Sequence, residues 1–218
     1  MTYWIRFVSL AALILLAACS SPSTSTFSLV EAGIADIQAA LLSGEVSCRD
    51  VVGGYLERIA IYDKSSGINA ITQTNPNALA RADELDRSIH SGEALPDLFC
   101  VPLLIKDNFD THDMVTTGGS IALKDSLPPD NAFMVRKLRE AGAIVLAKTN
   151  MAEWAFSPEQ TVSSSYGRTA NAYDISFVPA GSSGGTASGV ATSMGVAGMG
   201  SDTGNSIRGP ASHLALFG

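Results

Sequence analysis

Apolar side chains at Val30, Ile34, Ile37, Ala40 and Leu41 recur at helical spacing, which predicts a helix from Leu29 to Leu42 that Gly44 ends. Ser47-Cys-Arg-Asp50 has the form of a capping box, with Asp in place of the usual Glu. It opens a second helix through Val51, Val52, Tyr55, Leu56 and Ile59, up to Tyr62. A third helix fits Ala78–Ser91 and stops at Gly92. The pattern then changes. Val101–Ile105 is short and continuously apolar, as a fully buried strand is, Phe133–Ala141 reads as a helix ending at Gly142, and Ala143–Ala147 is a second buried strand. Strand, helix and strand in that order define an α/β chain. Thr186–Met194 is rich in Ala, Gly and Ser, which suits a helix packed very closely on its neighbours, and Val196–Gly200 is the next strand.

The N-terminus follows another rule. Arg6 precedes the apolar run Phe7–Ala18, which is too short for the ~20 residues a membrane span needs. It reads as a secretory signal sequence. Its ending, Leu16-Ala-Ala-Cys19, is similar to the lipobox of bacterial lipoproteins, in which the cysteine becomes the lipidated first residue. Residues 1–18 are thus expected to be a signal peptide and 19–27 a lipidated Cys19 with a Ser/Thr/Pro tether. Residues 28–218 would form the folded part. Ser20 after that cysteine resembles the outer-membrane sorting pattern. The expected location is the periplasmic face of a bacterial membrane, reached through the lipid anchor.

Composition narrows the classes. Apolar residues make up 46% of 218 and charged residues 16%, as in a globular domain. A net charge of −7 with no basic run excludes a nucleic-acid footprint. His90, His112 and His213 are scattered and no Cys-x-x-Cys occurs, so no metal cluster is expected. An oxidising compartment would permit a bond between Cys48 and Cys100. Their expected state is nevertheless two buried free thiols.

Chemistry concentrates in three segments. Ala180-Gly-Ser-Ser-Gly-Gly-Thr-Ala-Ser-Gly189 and Gly200-Ser-Asp-Thr-Gly-Asn-Ser-Ile-Arg-Gly-Pro-Ala211 are glycine-rich turns that carry Ser182 and Ser206, 24 positions apart. Such turns let backbone N–H groups point at a ligand. Far upstream, Lys106 ends the apolar run before Asp107 and Asn108. An exposed lysine has a pKa near 10.4 and is a poor base, but burial disfavours the ammonium and lowers that value. Asp107 would oppose this, so it is expected to face away. The parts match a serine nucleophile with an amine base.

Together these segments resemble the amidase signature family, whose members hydrolyse or transfer carboxamide nitrogen with a Ser–cis-Ser–Lys triad and need no metal or organic cofactor. The resemblance implies an α/β fold with a mixed central sheet covered by helices on both faces, Ser206 as nucleophile, Ser182 as the bridge after a cis peptide bond, and Lys106 as base. It makes the N–H groups of Thr203, Gly204 and Asn205 the oxyanion hole, Asp202 and Arg208 the groups that fix the loop, and Ser183 a support for the bridge. Ser201 and Ser212 are read as structural. Asn205 stands where most relatives have glycine, and Asn tolerates the left-handed region better than other residues. Cys100 likewise replaces a common glycine. The implied substrate is a small-molecule or peptide amide. One family type serves transfer-RNA amidation in the cytoplasm, and an exported N-terminus argues against it.

Two rival readings exist. Gly181-Ser-Ser-Gly-Gly185 satisfies G-x-S-x-G, which would make Ser183 the nucleophile of an α/β hydrolase with Asp202 and His213. The other is a catalytically inactive lipoprotein of the same fold. Family members continue well beyond the last motif. The 218 residues are therefore expected to be an incomplete, N-terminal portion of the domain, inactive and poorly folded by themselves.

Overall fold

The computed structural model describes residues 27–92 and 94–218. The expected signal peptide, Cys19 and most of the expected tether lie outside the described residues.

The first half of the chain holds three helices: α1 (Ile34–Ser43), α2 (Cys48–Tyr62) and α3 (Ala78–Ser91). The last two match the periodicity. At the start of α2 the backbone N–H of Asp50 donates to Ser47 Oγ at 3.0 Å, while the Asp50 carboxylate accepts from the Ser47 N–H at 3.2 Å. Asp therefore completes the capping box as Glu would. The first helix starts five residues later than predicted. Glu31 adopts φ 56°, a turn conformation outside the right-handed region, and the Asp36 carboxylate then caps the helix through the Gly33 N–H at 2.9 Å.

The sheet contains β1 (Ile71–Thr74), β2 (Pro102–Lys106), β3 (Ile144–Thr149) and β6 (Ala197–Met199), in the order β1-β3-β2-β6. Strands β3, β2 and β6 are parallel, and β1 runs antiparallel to β3, so the sheet is mixed. Helix α4 (Phe133–Glu140) makes the crossover between β2 and β3, and α5 (Gly184–Ala191) precedes β6. A two-stranded hairpin, β4 (Val162–Ser163) with β5 (Gly167–Arg168), a short α6 (Arg208–His213) and two 3-10 turns, Ile121–Leu123 and Glu153–Ala155, complete the described elements. Strand β1 escaped prediction because it has only four residues, of which Ile71 alone is buried.

Alternation along β2 divides the interior. Leu104 joins Ile144, Leu146 and the buried faces of α1, α2 and α3. Leu103 and Ile105 point the other way, to Val145 and to Val135 of α4. Both faces of β2 are covered, which keeps the strand that carries Lys106 dry.

The two thiols are not free. Cys48 and Cys100 form a disulfide, with Cα atoms 5.7 Å apart across a separation of 52 residues. Spacing along the chain hid this, because α2 packs its first turn beneath the segment entering β2. Constraining so long a loop contributes about 2–4 kcal/mol, mostly by limiting the unfolded chain. Replacing both cysteines by alanine is expected to lower the unfolding free energy by about that amount. Denaturant titration of parent and double variant measures it, and equal midpoints would refute the expectation.

Candidate active site

Parallel strands open their C-terminal ends toward one edge, and functional side chains of α/β sheets gather there. Lys106 is the last residue of β2, Ser201 follows β6, and Ser182 and Ser183 lead into α5. For those layers to meet, α5 must come very close to the sheet. A Cβ on Gly185 would lie 2.2 Å from the Asn150 carbonyl oxygen, so only glycine fits.

The structure brings Lys106 and Ser182 together. Both are fully buried, and Lys106 Nζ lies 2.7 Å from Ser182 Oγ. The Gly181–Ser182 peptide is cis. Ser182 is held from behind, where the Ala152 N–H donates to its carbonyl at 3.1 Å. The turn is fastened further by Thr161, whose hydroxyl donates to the Ala180 carbonyl at 2.9 Å and accepts the Gly184 N–H at 3.0 Å. Ser206 is buried at 5% exposure, and its carbonyl accepts the Ser183 N–H at 3.2 Å. That bond ties the two glycine-rich turns to each other.

Burial drives the Lys106 amine down to about 8, and the charge of Asp202 only partly opposes this. Asp107 does not enter the balance. It turns away, accepts from Thr117 and pairs with the buried Lys148, whose Nζ lies 3.2 Å from it. Burial pushes the Asp107 carboxyl up and the Lys148 amine down, and the charge of each opposes the shift of the other.

Asp202 organises the loop after β6. It accepts the N–H groups of Asn205 at 2.9 Å, Ile207 at 3.1 Å and Arg208 at 3.2 Å. The Arg208 guanidinium adds two bonds, at 3.0 and 3.1 Å, and holds the carboxyl well below the usual carboxylate range. Asn205 has φ 75°, the left-handed turn expected where relatives carry glycine. Its N–H is bound to Asp202, so of the three N–H groups assigned to an oxyanion hole this one already has a partner. Thr203 and Gly204 stand exposed at the tip of the loop.

The rival nucleophile elbow does not assemble. The Ser183 hydroxyl donates to the Ser201 carbonyl at 3.5 Å, exposed His213 lies 3.5 Å from the Val178 carbonyl, and Asp202 is bound to Arg208. Ser183, Asp202 and His213 thus each have other partners and form no relay.

Sequence reasoning missed Ser201 and Asn108. Lys106 Nζ lies 2.8 Å from Ser201 Oγ, which also accepts from Asn108 Nδ2 at 2.9 Å. The available signal was positional: Ser201 follows a strand that pairs in parallel with β2, in the register Ile105 to Met199. A cleft of about 300 Å³ opens beside Asn108 and is lined by Thr116, Gly118, Leu123, Met151 and Trp154. Among the described residues no group of three or more His, Cys, Asp or Glu side chains could hold a metal ion, and no helix is long and apolar enough to cross a membrane.

A chain with these turns and this lysine belongs to the amidase signature family, and the family described as Amidase matches residues 50–218. A glutamyl-tRNA(Gln) amidotransferase subunit from Prochlorococcus marinus (strain MIT 9303) is 43% identical over 186 residues, which are 85% of this chain and 38% of that protein. The native peptide amidase of Stenotrophomonas maltophilia is 41% identical, with a TM-score of 0.79 over 83% of this chain and 38% of its own. A bacterial aryl acylamidase of the same family is 30% identical, with a TM-score of 0.78 over 84% of this chain and 38% of its own. The chain thus spans 38% of the length of each of these relatives.

The Asp202 carboxylate favours the Lys106 ammonium, so Asp202→Asn is expected to move the lysine titration below about 8. Carbon-13 NMR of the labelled lysine side chain, assigned with Lys106→Arg, measures the shift. A titration that stays put or moves upward contradicts this electrostatic account.

Proposed function

We propose that the protein is an exported, lipid-anchored amidase that hydrolyses carboxamide bonds through an acyl-enzyme on Ser206. The observation that carries the reading is the buried Lys106 amine 2.7 Å from Ser182 Oγ, in a turn bonded to Ser206. Ser206 Oγ attacks the amide carbonyl, and its proton passes to Ser182 as the Ser182 proton passes to Lys106. N–H groups of Thr203 and Gly204 stabilise the resulting oxyanion. The Asn205 N–H joins them when Asp202 releases it. The C–N bond then breaks, the departing nitrogen takes a proton back along the same relay, and ammonia or an amine leaves. Water, deprotonated by the same relay, attacks the ester and restores Ser206. No metal or organic cofactor takes part. The cleft beside Asn108 suits one side of a small amide or a peptide amide.

Relatives named for peptide amidase and for transfer-RNA amidation match this chain at 41% and 43% identity, so likeness does not separate those substrates. Two features support the exported hydrolase. One is the Leu16-Ala-Ala-Cys19 motif. The other is the Cys48–Cys100 disulfide, a bond that persists in oxidising compartments.

A base that must be neutral and titrates near 8 makes kcat/KM fall about tenfold per pH unit below that value and level off above it. In the full chain, Lys106→Ala should lose several orders of magnitude in kcat without rescue at high pH. Ser206→Ala should abolish labelling by a fluorophosphonate probe. Labelling that persists on Ser183 in the Ser206 variant would overturn the mechanism.

Mass spectrometry of membrane fractions should find Cys19 as an acylated N-terminus, and Cys19→Ala should release the protein or block its processing. An intact Met1 on a soluble cytoplasmic protein would overturn the export reading and favour transfer-RNA amidation.

A further inference from the structure

Lys106 Nζ has three polar neighbours: Ser182 Oγ at 2.7 Å, Ser201 Oγ at 2.8 Å and the Ser201 carbonyl at 3.3 Å. An ammonium can donate to all three. The neutral amine has two N–H bonds and one lone pair, and only the lone pair can receive a proton. Which neighbour faces that lone pair therefore decides whether the lysine can act as a base toward Ser182.

The geometry supplies the answer. A carbonyl oxygen only accepts, so the Ser201 carbonyl takes one N–H. Ser201 Oγ is pinned by Asn108 Nδ2 at 2.9 Å on the exposed side of the site, where its own hydroxyl proton can turn toward water. Its remaining lone pair takes the second N–H. Ser182 has no such outlet. It is fully buried, and its hydroxyl proton must rest on a protein acceptor, with Lys106 Nζ at 2.7 Å.

We propose that Ser201, held by Asn108, is a positioning residue that occupies both N–H bonds of neutral Lys106 and so aims the amine lone pair at Ser182. The proposal rests on the amidase reading given above. The charged groups around the lysine are few. Asp202, clamped by Arg208, faces it from the loop after β6, and Asp107 is turned to Thr117 and Lys148. From the turn before α5 the Ser182 hydroxyl reaches the lysine, while the Ser183 hydroxyl is bonded to the Ser201 carbonyl and that of Thr186 to Thr149 and the Met199 carbonyl.

The test compares Ser201→Ala, Ser201→Thr and Asn108→Ala in the full chain by two readouts, the Lys106 titration by carbon-13 NMR and the pH profile of amide hydrolysis. Ser201→Ala removes an acceptor that the ammonium uses, so the titration should move to lower pH. At the same time kcat should fall about 10²-fold with KM little changed, the low end of what a positioned base contributes. Ser201→Thr, which keeps the hydroxyl, should restore both readouts, and Asn108→Ala should shift the titration in the same direction by less. A Ser201→Ala variant that titrates and turns over like the parent overturns the proposal, as does a threonine variant no better than alanine. Lys106→Ala separates this from the underlying reading: if that variant stays active the lysine-base mechanism itself is wrong, whereas an inactive Lys106→Ala beside a normal Ser201→Ala sinks only the role of Ser201. Where hydrolysis is too slow to follow, the titration decides alone, and an unmoved Lys106 signal in Ser201→Ala rejects the proposal.

Discussion

The contact between Lys106 and Ser182 demands that a helix and a strand approach more closely than ordinary side chains allow. Gly185 meets that demand where α5 passes the Asn150 carbonyl, and Gly189 meets it over Leu104, where an added Cβ would come within 2.7 Å. Close approach also excludes water, and dryness sets the chemistry. Removing solvent disfavours an ammonium more strongly than the single carboxylate of Asp202 favours it, so burial wins and the amine holds its proton less tightly than a solvated lysine. Packing and reactivity are thus one arrangement seen from two sides.

A second buried lysine shows what the first avoids. Lys148 is as thoroughly enclosed as Lys106, but it has a carboxylate partner in Asp107 and oxygen acceptors in Phe109, Val115 and Thr116. That pair braces the segment following β2. Lys106 receives hydroxyl and carbonyl oxygens in place of a carboxylate within contact distance, which leaves it free to exchange a proton. Period-two alternation separates the two roles, because adjacent residues at a strand end face opposite sides of the sheet.

The long periodic elements were legible in the residues alone. The ends of α3 at Ala78 and Ser91, the capping box at Ser47 and the parallel strands all follow from hydrophobic spacing and stop signals. The turns bearing Ser182 and Ser206 were legible because glycine density marks places where backbone must crowd. What escaped depends on distances that spacing does not encode. The Cys48–Cys100 bond joins residues 52 positions apart, and β1 is too short to show a pattern. Ser201 looked structural because nothing local distinguishes it from its neighbours. Only the pairing of β6 with β2 puts it beside the lysine.

The tether from Arg58 to the end of α5 has a consequence for how the protein reaches its native state. Arg58 donates to the carbonyls of Thr192 and Ser193, more than 130 residues away in sequence, and Lys106 meets Ser182 and Ser201 across 76 and 95 residues. Contacts of such range pay their loop-closure entropy before they return any stabilisation, so they form late and slowly compared with helices. The early helical layer and strand β2 can collapse while Lys106 is still solvated and fully protonated. Only when the segment from Ala180 onward docks does the amine lose its water, and with it part of its hold on the proton. A nascent chain therefore carries Lys106 as an ordinary solvated lysine, and its lowered proton affinity arises at the same moment as the finished tertiary structure.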